Sequence, residues 1–533
     1  MIDFDRQTKY MKSFNPETLT RITATLLFVL IIPFLLLYNL GTSPRTWHDE
    51  GNAMLLAKTL AQDGVYAVKT STGYQTFGAV QSVGPTVILP VSLSFRLFGV
   101  GLPQGRLIAA LYSFLTLVII YKLIVKIFNA PIAIFGILLL LGSTSAQFLY
   151  FGRQVLGEVP ALGFFLGGWY FWLLGKETKK PMYFGLAGLL IGAAMVTKSS
   201  YLLIAGAVLV IVTFLDLIYY KLGSFFSLFW VAGISIVIFA IWTIFQRQYY
   251  GAKVFGENLV LLGQLGKSTT GFSIHGLVEQ VKFLIGAKND HFYFLWGIPV
   301  LIYSVMLCLQ RDERGFITCV MTSFSILWLM YYFYSVPWSA YLVAPAAVVA
   351  LLTGKFLFDL ISHFAAFYTN IILEVKTGKP ATAALFIALC AGLLMFIFYP
   401  LQNAVQFSVF ENDDFPFRTA NLLNTEVESH AVIETWEREL GILTDRQYHY
   451  PDQSFLIKVH ADKYRSAPQD YLLGYDYFKT VQPAYVVIGK FDREFPIYDL
   501  GFLENNSELI AQIGEGPTSY ELYKINYPLA VSK

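Results

Sequence analysis

The fold turns on one stretch, ITATLLFVLIIPFLLLYNLGTSPRTWHDEGN, residues 22–52. Its first part, Ile22–Leu40, carries no charged side chain. A helix needs about 20 such residues to cross the hydrocarbon core of a bilayer. The second part places His48, Asp49 and Glu50 in a row directly beside that apolar run. Adjacent carboxylates repel, and ionisable groups next to a membrane span are costly, so this pair is a functional candidate.

The rest of the chain extends the first reading. Of its 533 residues 56% are hydrophobic and only 14% charged, against about 25% charged in a soluble domain. The aromatic share of 17% suits lipid contact and interfacial belts. A net charge of +2 gives no footprint for a nucleic-acid partner. Cys308, Cys319 and Cys390 lie in or at the ends of apolar runs and form neither a disulfide framework nor a metal quartet. The expected class is a polytopic α-helical membrane protein.

The same length template predicts about eleven spans. They are Ile22–Leu40, Gly105–Lys126, Ala130–Tyr150, Glu158–Leu174, Met182–Val196, Ser199–Tyr220, Ser224–Phe245, His291–Leu309, Gly315–Tyr334, Ser339–Leu357 and Ala381–Tyr399. The first lacks a small-x-small cleavage site and reads as a retained anchor. Arg6, Lys9, Lys12 and Arg21 precede it. Every second connection is then basic, with Lys122 and Lys126, Lys176 to Lys180, Lys221, Arg311 and Arg314, and Lys376 and Lys379. That pattern predicts a cytoplasmic N-terminus and, with an odd number of spans, an outer C-terminus. The plasma or inner membrane is the expected location.

The apolar stretch of residues 85–104 is short and interrupted by Pro90 and Arg96, so it is placed in a long outer loop, Gly41–Gln104. Within that loop Met54, Ala57 and Leu60 share one helical face, and Gly64 makes a stop. A second long outer loop is expected over Gln246–Asp290. From about Leu401 the composition becomes that of a soluble domain. Strand-like runs AVIET (Ala431–Thr435) and AYVVIG (Ala484–Gly489) alternate with helical patterns, predicting a small α/β or α+β extracytoplasmic domain over residues 401–533 behind a membrane domain over 1–400. Asn505-Asn506-Ser507 is a glycosylation sequon.

Several charges collect at outer ends of the spans. Asp49 and Glu50 follow the first, and Arg106 opens the second. Arg153 and Glu158 lie between the third and fourth, and Lys198 between the fifth and sixth. Taken singly, each could be an interfacial charge reaching for water. Together they suit transfer of a sugar from a lipid phosphate. A carboxylate would deprotonate an acceptor hydroxyl, and cations would hold the departing phosphate. A competing reading is a transporter or flippase of lipid-linked substrates. Such proteins keep their ionisable residues near the midplane and often show internal repeats, and this chain shows neither.

The ordered motifs resemble the GT-C fold glycosyltransferases, in the branch of protein O-mannosyltransferases and lipid A aminoarabinose transferases. They are Asp49-Glu50 at the head of the first outer loop, FRLFG (Phe95–Gly99), GRLIAALYS opening the second span, Arg153 with Glu158, Thr197-Lys198, and Tyr341 with Pro345. The resemblance covers roughly residues 21–357. It implies a GT-C fold with about 11 transmembrane helices and an inverting transfer from a polyprenyl-phosphate sugar donor, dolichyl or undecaprenyl. The acceptor could be protein, lipid or glycan. Asp49 would be the catalytic base, supported by Glu50, and Glu158 would orient the acceptor or a cation. Arg153 and Lys198 would bind the lipid phosphate, and Arg106, Tyr341 and His48 would join the substrate contacts. No cofactor is required by the resemblance. Some of the superfamily hold a divalent ion, Mg or Mn, which here would sit between Asp49 and Glu158. Two positions depart from the pattern: Glu158 where many relatives carry Asp, and Ala340 where a basic residue is common.

Overall fold

A computed structural model of the protein describes residues 16–271, 274–286, 291–336, 338–363, 380–465 and 475–527. The expected basic residues Arg6, Lys9, Lys12, Lys376 and Lys379 lie outside the described residues.

All eleven predicted apolar segments fall on helices. Among the described residues six helices are long and apolar enough to cross a membrane. They are α1 (Glu17–Leu37, with a π-turn at Leu27–Ile31) and, after the helices α2 (His48–Gln62) and α3 (Pro85–Phe98) of the connection over residues 41–104, α4 (Leu102–Ile127). The others lie further on. The third predicted segment is divided. Its helix α5 (Ala130–Gly142) stops, Gln147 turns with φ 43°, and a short helix α6 (Phe148–Gly152) follows. Next come α7 (Glu158–Thr178), α8 (Pro181–Thr197), α9 (Ser199–Leu215) and α10 (Phe225–Thr269).

The bundle packs where small residues let backbones approach. A Cβ on Gly188 or Gly192 of α8 would lie 2.8 Å from Ile234 or Ile238 of α10, so this small-xxx-small pair sets the distance between the two helices. The second long outer loop expected over Gln246–Asp290 is largely helical instead. α10 runs on to Thr269 through a break at Gly251, whose φ of 79° only glycine adopts without strain, and α11 (Ile274–Gly286) follows. Beyond it run α12 (His291–Cys308), α13 (Glu313–Tyr334, started by the Asp312 side chain accepting from Gly315 N), α14 (Val343–His363) and α15 (Pro380–Val405).

Two short strands, β1 (Val68–Thr70) and β2 (Gly73–Gln75), form a hairpin between α2 and α3. The C-terminal region builds a five-stranded sheet from β3 (Val432–Thr435), β4 (Gln447–His449), β5 (Tyr485–Ile488), β6 (Ser507–Ile513) and β7 (Tyr520–Ile525), in the order β4-β3-β5-β7-β6. β3 is parallel to both β4 and β5, and β7 is antiparallel to β5 and β6. A small C-terminal sheet region was expected, as α/β or α+β, and the sheet is mixed parallel and antiparallel.

Alternation along the central strands divides their side chains between two cores. Ile433, Tyr485, Val487 and Leu522 pack with Met54, Leu55, Val87, Ile88 and Phe95 of α2 and α3. Val486, Ile488 and Ile525 face Trp436, Phe495 and Tyr498 on the other side. The sheet is therefore built onto residues 41–104, and α2 lies at the junction.

Candidate active site

α2 starts at His48 after an extended Trp47, with no side-chain cap on its first turn. The free N–H groups and dipole at this end favour negative charge, and Asp49 and Glu50 both occupy that turn. Consecutive helical residues point about 100° apart, and the two carboxylates meet different neighbours.

Glu50 is fully buried. Arg106 Nε donates to Glu50 Oε1 at 2.8 Å, Arg106 Nη2 to Oε2 at 2.6 Å, and Val155 N to Oε1 at 3.2 Å. The remaining arm of Arg106 donates to Leu40 O at 3.0 Å. Arg153 is likewise internal. Its guanidinium donates to Leu35 O, to Tyr38 O at 2.5 Å and to Ser43 O at 3.0 Å, capping the carbonyl end of α1. These arrangements correct two expectations. Arg153, expected at the lipid phosphate, and Arg106, expected among the substrate contacts, are each wholly buried and bonded to protein oxygens instead.

Asp49 points the other way and is half-buried. Burial pushes its carboxyl up to about 6, with Lys198 opposing the rise and Glu158 and Glu494 adding to it. Lys198 Nζ lies 2.5 Å from Glu158 Oε1, while Glu158 Oε2 is buried without a partner. Burial alone would lower the Lys198 pKa, but Glu158 and Asp49 outweigh it and raise it, so the ammonium stays charged. Tyr341 lies within electrostatic reach of both carboxylates, its ring 5.3 Å from Tyr331 and 5.6 Å from Trp338. Of the eight expected residues the structure thus gathers Asp49, Glu158, Lys198 and Tyr341.

The start of α3 fixes the Lys198 end. Gly84 N donates to Thr197 O at 2.9 Å, and the hydroxyls of Thr86 and Thr197 meet at 2.6 Å. A Cβ on Gly157 would come within 3.1 Å of Thr197 O and 3.2 Å of Lys198 Cδ, so the residue before Glu158 packs tightly against the Lys198 end.

His48 is a docking residue. It is buried, its Nδ1 lies 2.9 Å from Trp436 O, and its ring stacks on Phe491 at 3.8 Å and 10°. Burial holds its pKa down to about 3, so the ring is neutral and Nδ1 carries the proton given to that carbonyl.

Sequence reasoning missed the C-terminal partners. Arg438 is fully buried, donating to Asn52 Oδ1 at 3.0 Å and Gln75 Oε1 at 2.8 Å, and it acts electrostatically on Asp49. Lys58 Nζ donates to Gly441 O at 2.8 Å and Thr444 O at 3.0 Å. A Cβ on Gly51 would stand 2.4 Å from Glu439 N. His48, Gly51, Asn52, Leu55 and Lys58 form one helical stripe of α2, and that stripe lies on residues 436–444. The run WERELG, residues 436–441, directly follows the strand-like AVIET and holds no motif that would mark it as a partner of α2.

The architecture is the GT-C fold of membrane glycosyltransferases, here an integral membrane bundle with a small C-terminal sheet region. Residues 82–245 match the family model described as dolichyl-phosphate-mannose-protein mannosyltransferase. ArnT from Cupriavidus metallidurans in the apo state is similar at a TM-score of 0.60 and 14% identity, over 94% of this chain and 98% of that one. The same protein bound to undecaprenyl phosphate gives 0.58 and 14%, over 94% and 97%. The oligosaccharyltransferase AglB from Archaeoglobus fulgidus, in complex with an inhibitory peptide and a dolichol-phosphate, gives 0.54 and 14%, over 96% and 74%. No curated protein matches the sequence.

Proposed function

We propose that this protein is a membrane glycosyltransferase that moves a sugar from a polyprenyl-phosphate donor to an acceptor hydroxyl at the outer membrane face, with inversion. The observation that carries the reading is the juxtaposition of half-buried Asp49 with the Lys198–Glu158 ion pair at neighbouring helix ends. The matched mannosyltransferase segment spans the Lys198–Glu158 part of this site. Relatives of the same fold have been seen with undecaprenyl phosphate and with dolichol-phosphate, which supports the donor class.

In this reading Asp49 takes the proton of the acceptor hydroxyl as its oxygen attacks the anomeric carbon. The carbon–oxygen bond to the lipid phosphate breaks, and its electron pair leaves on the phosphate. Lys198 balances that negative charge at a place where water is scarce and the interaction correspondingly strong. Glu158 holds Lys198 in position, and Tyr341 borders the site. Glu50 and Arg106 set the direction of the first turn of α2.

A divalent cation fits the donor set in one way. Asp49 and the unpartnered Oε2 of Glu158 would supply two carboxylate oxygens, as Mg-type sites do when water and substrate phosphate complete the shell. When bound, it would add positive charge at the phosphate. The distribution of basic residues supports a cytoplasmic N-terminus and an extracytoplasmic unit over 401–533. The test is mass analysis of glycans and lipids from cells lacking the gene. The reading requires a missing or truncated glycoconjugate with accumulation of its polyprenyl-phosphate sugar, and unchanged glycans and lipids would defeat it.

A further inference from the structure

Among the described residues three arginines are completely buried, Arg106, Arg153 and Arg438. The first two have their charge answered. Glu50 pairs with Arg106, and Arg153 lies on the carbonyls that end α1, the negative end of that helix. Arg438 has no such answer. Its Nη1 donates to Asn52 Oδ1 at 3.0 Å and its Nη2 to Gln75 Oε1 at 2.8 Å, both uncharged amides, while its Nε is buried without a partner. The ring of Tyr450 lies 4.7 Å from the guanidinium. No ion pair joins Arg438 to a carboxylate among the described residues. Burial lowers its guanidinium to about 10, so the side chain still carries its charge at neutral pH. A buried charge left uncompensated is strongly unfavourable, which makes its surroundings informative.

Tyr450 and Tyr498 act on Arg438 too, but burial raises both phenols and keeps them neutral. The carboxylates that stabilise its charge are Asp452 and Asp49. Asp452 is exposed, accepting from Ser454 N at 2.7 Å, so water and salt screen it. Asp49 is half-buried, and Asn52, the residue that Arg438 holds, follows it by one turn on the surface of α2. The groups acting on Asp49 come from separate elements: Lys198 before α9, Glu158 at the start of α7, and Glu494 and Arg438 from the C-terminal unit. Lys198 is paired with Glu158 at 2.5 Å. Arg438 is therefore a cation beside Asp49 whose charge no side-chain partner cancels.

We propose that Arg438 is a positioning residue for sugar transfer: it holds the start of α2 through Asn52 and supplies the fixed positive charge against which Asp49 carries its negative one. The word transfer rests on the transferase reading; the coupling of Arg438 to Asp49 does not. The C-terminal unit then takes part in the chemistry from behind the base, without touching substrate. Neutral amide partners suit this role, because they fix the guanidinium and leave its charge to act on Asp49. Burial first, and Arg438 after it, keep His48 uncharged, so that ring adds no second cation next to Asp49.

The test follows melting of the full-length protein in lipid nanodiscs from acid to alkaline pH, with Asp49→Asn as the reference in each background. The gap between Asp49 and its Asn reference widens as pH rises and levels off once folded Asp49 has ionised, at about 6 with Arg438 in place. Arg438→Met should move that levelling-off up by about half a pH unit or more. Arg438→Lys, which keeps the charge, should restore it. Gln75→Glu sets a carboxylate against Nη2 and cancels the charge with the guanidinium still in place, at the loss of the Gln75 Nε2 bond to Tyr450 O. It should shift the levelling-off the same way, and it serves if Arg438→Met does not melt cooperatively. In membranes the acid limb of sugar transfer should move with it. A merely structural Arg438 would lower transfer alike at all pH values and leave the levelling-off at its wild-type position. That result overturns the proposal, as does a folded Arg438→Lys variant that shifts as far as Arg438→Met. Wild-type transfer by Asp49→Asn would instead defeat the transferase reading and leave the coupling of Arg438 to Asp49 standing.

Discussion

Arg106 grips Glu50 through two hydrogen bonds, at 2.8 and 2.6 Å, with neither side chain exposed to solvent. The pair joins the start of α4 to the first turn of α2, and so decides which way Asp49 points. Removing one partner leaves an uncompensated buried charge, whereas removing both can be nearly neutral.

Arg106→Gln should therefore destabilise the protein by about 3–5 kcal/mol, seen as a lowered melting temperature in detergent and poor recovery from membranes. The double change Glu50→Leu with Arg106→Met should regain most of that loss. A residue that served only to bind donor would behave differently: Arg106→Gln would melt normally and lose activity alone.

Gly51 tests the docking of α2 on the C-terminal unit. The atoms nearest its missing Cβ, Glu439 N at 2.4 Å and Arg438 C at 2.7 Å, belong to backbone and cannot rotate away. Gly51→Val should push α2 off residues 436–444. Hydrogen exchange should accelerate over residues 48–58 and 436–444 while α4 keeps its protection. Displacement of Asp49 by about 1 Å is enough to cost on the order of 10²-fold in transfer. Unchanged exchange in both segments would mean the contact does not hold the helix.

Asp49 also predicts a pH profile. A base must be ionised to act, so transfer should fall as pH drops through about 6, the value to which burial raises this carboxyl. Lys198 opposes that rise, so Lys198→Met should move the acid limb to higher pH as well as slow transfer. Stability runs the other way. Asp49 has a folded pKa above its ordinary 3.8, so the fold prefers its protonated form. The stabilisation is full below 3.8 and lost as pH climbs through about 6. Asp49→Asn should consequently melt higher than the wild type above pH 6 and alike below pH 3.8. Equal melting at all pH values would show that Asp49 is not desolvated.

Much of this architecture was legible in the sequence, because lipid imposes long apolar runs and charges at their ends. Asp49, Glu158 and Lys198 were identified that way and do converge. Arg106 and Arg153 were not distinguished from them. An arginine at the outer end of a span looks the same in sequence whether it faces a cavity or the carbonyls of a neighbouring helix end. Long-range partners were out of reach for a similar reason: nothing local to Arg438 in the sequence shows that the sheet brings it against Asn52 of α2. Gly251 was read within a loop, yet a single left-handed residue lets α10 continue past it to Thr269.

The most direct test of the central claim is sugar transfer by Asp49→Asn in membranes supplied with the polyprenyl-phosphate sugar that accumulates in cells lacking the gene. Loss of one general base costs about 10²–10⁴-fold. The account predicts a fall of that size in a variant that is expressed, inserted and cooperatively melting, with donor binding retained. Transfer at the wild-type rate by that variant would contradict it.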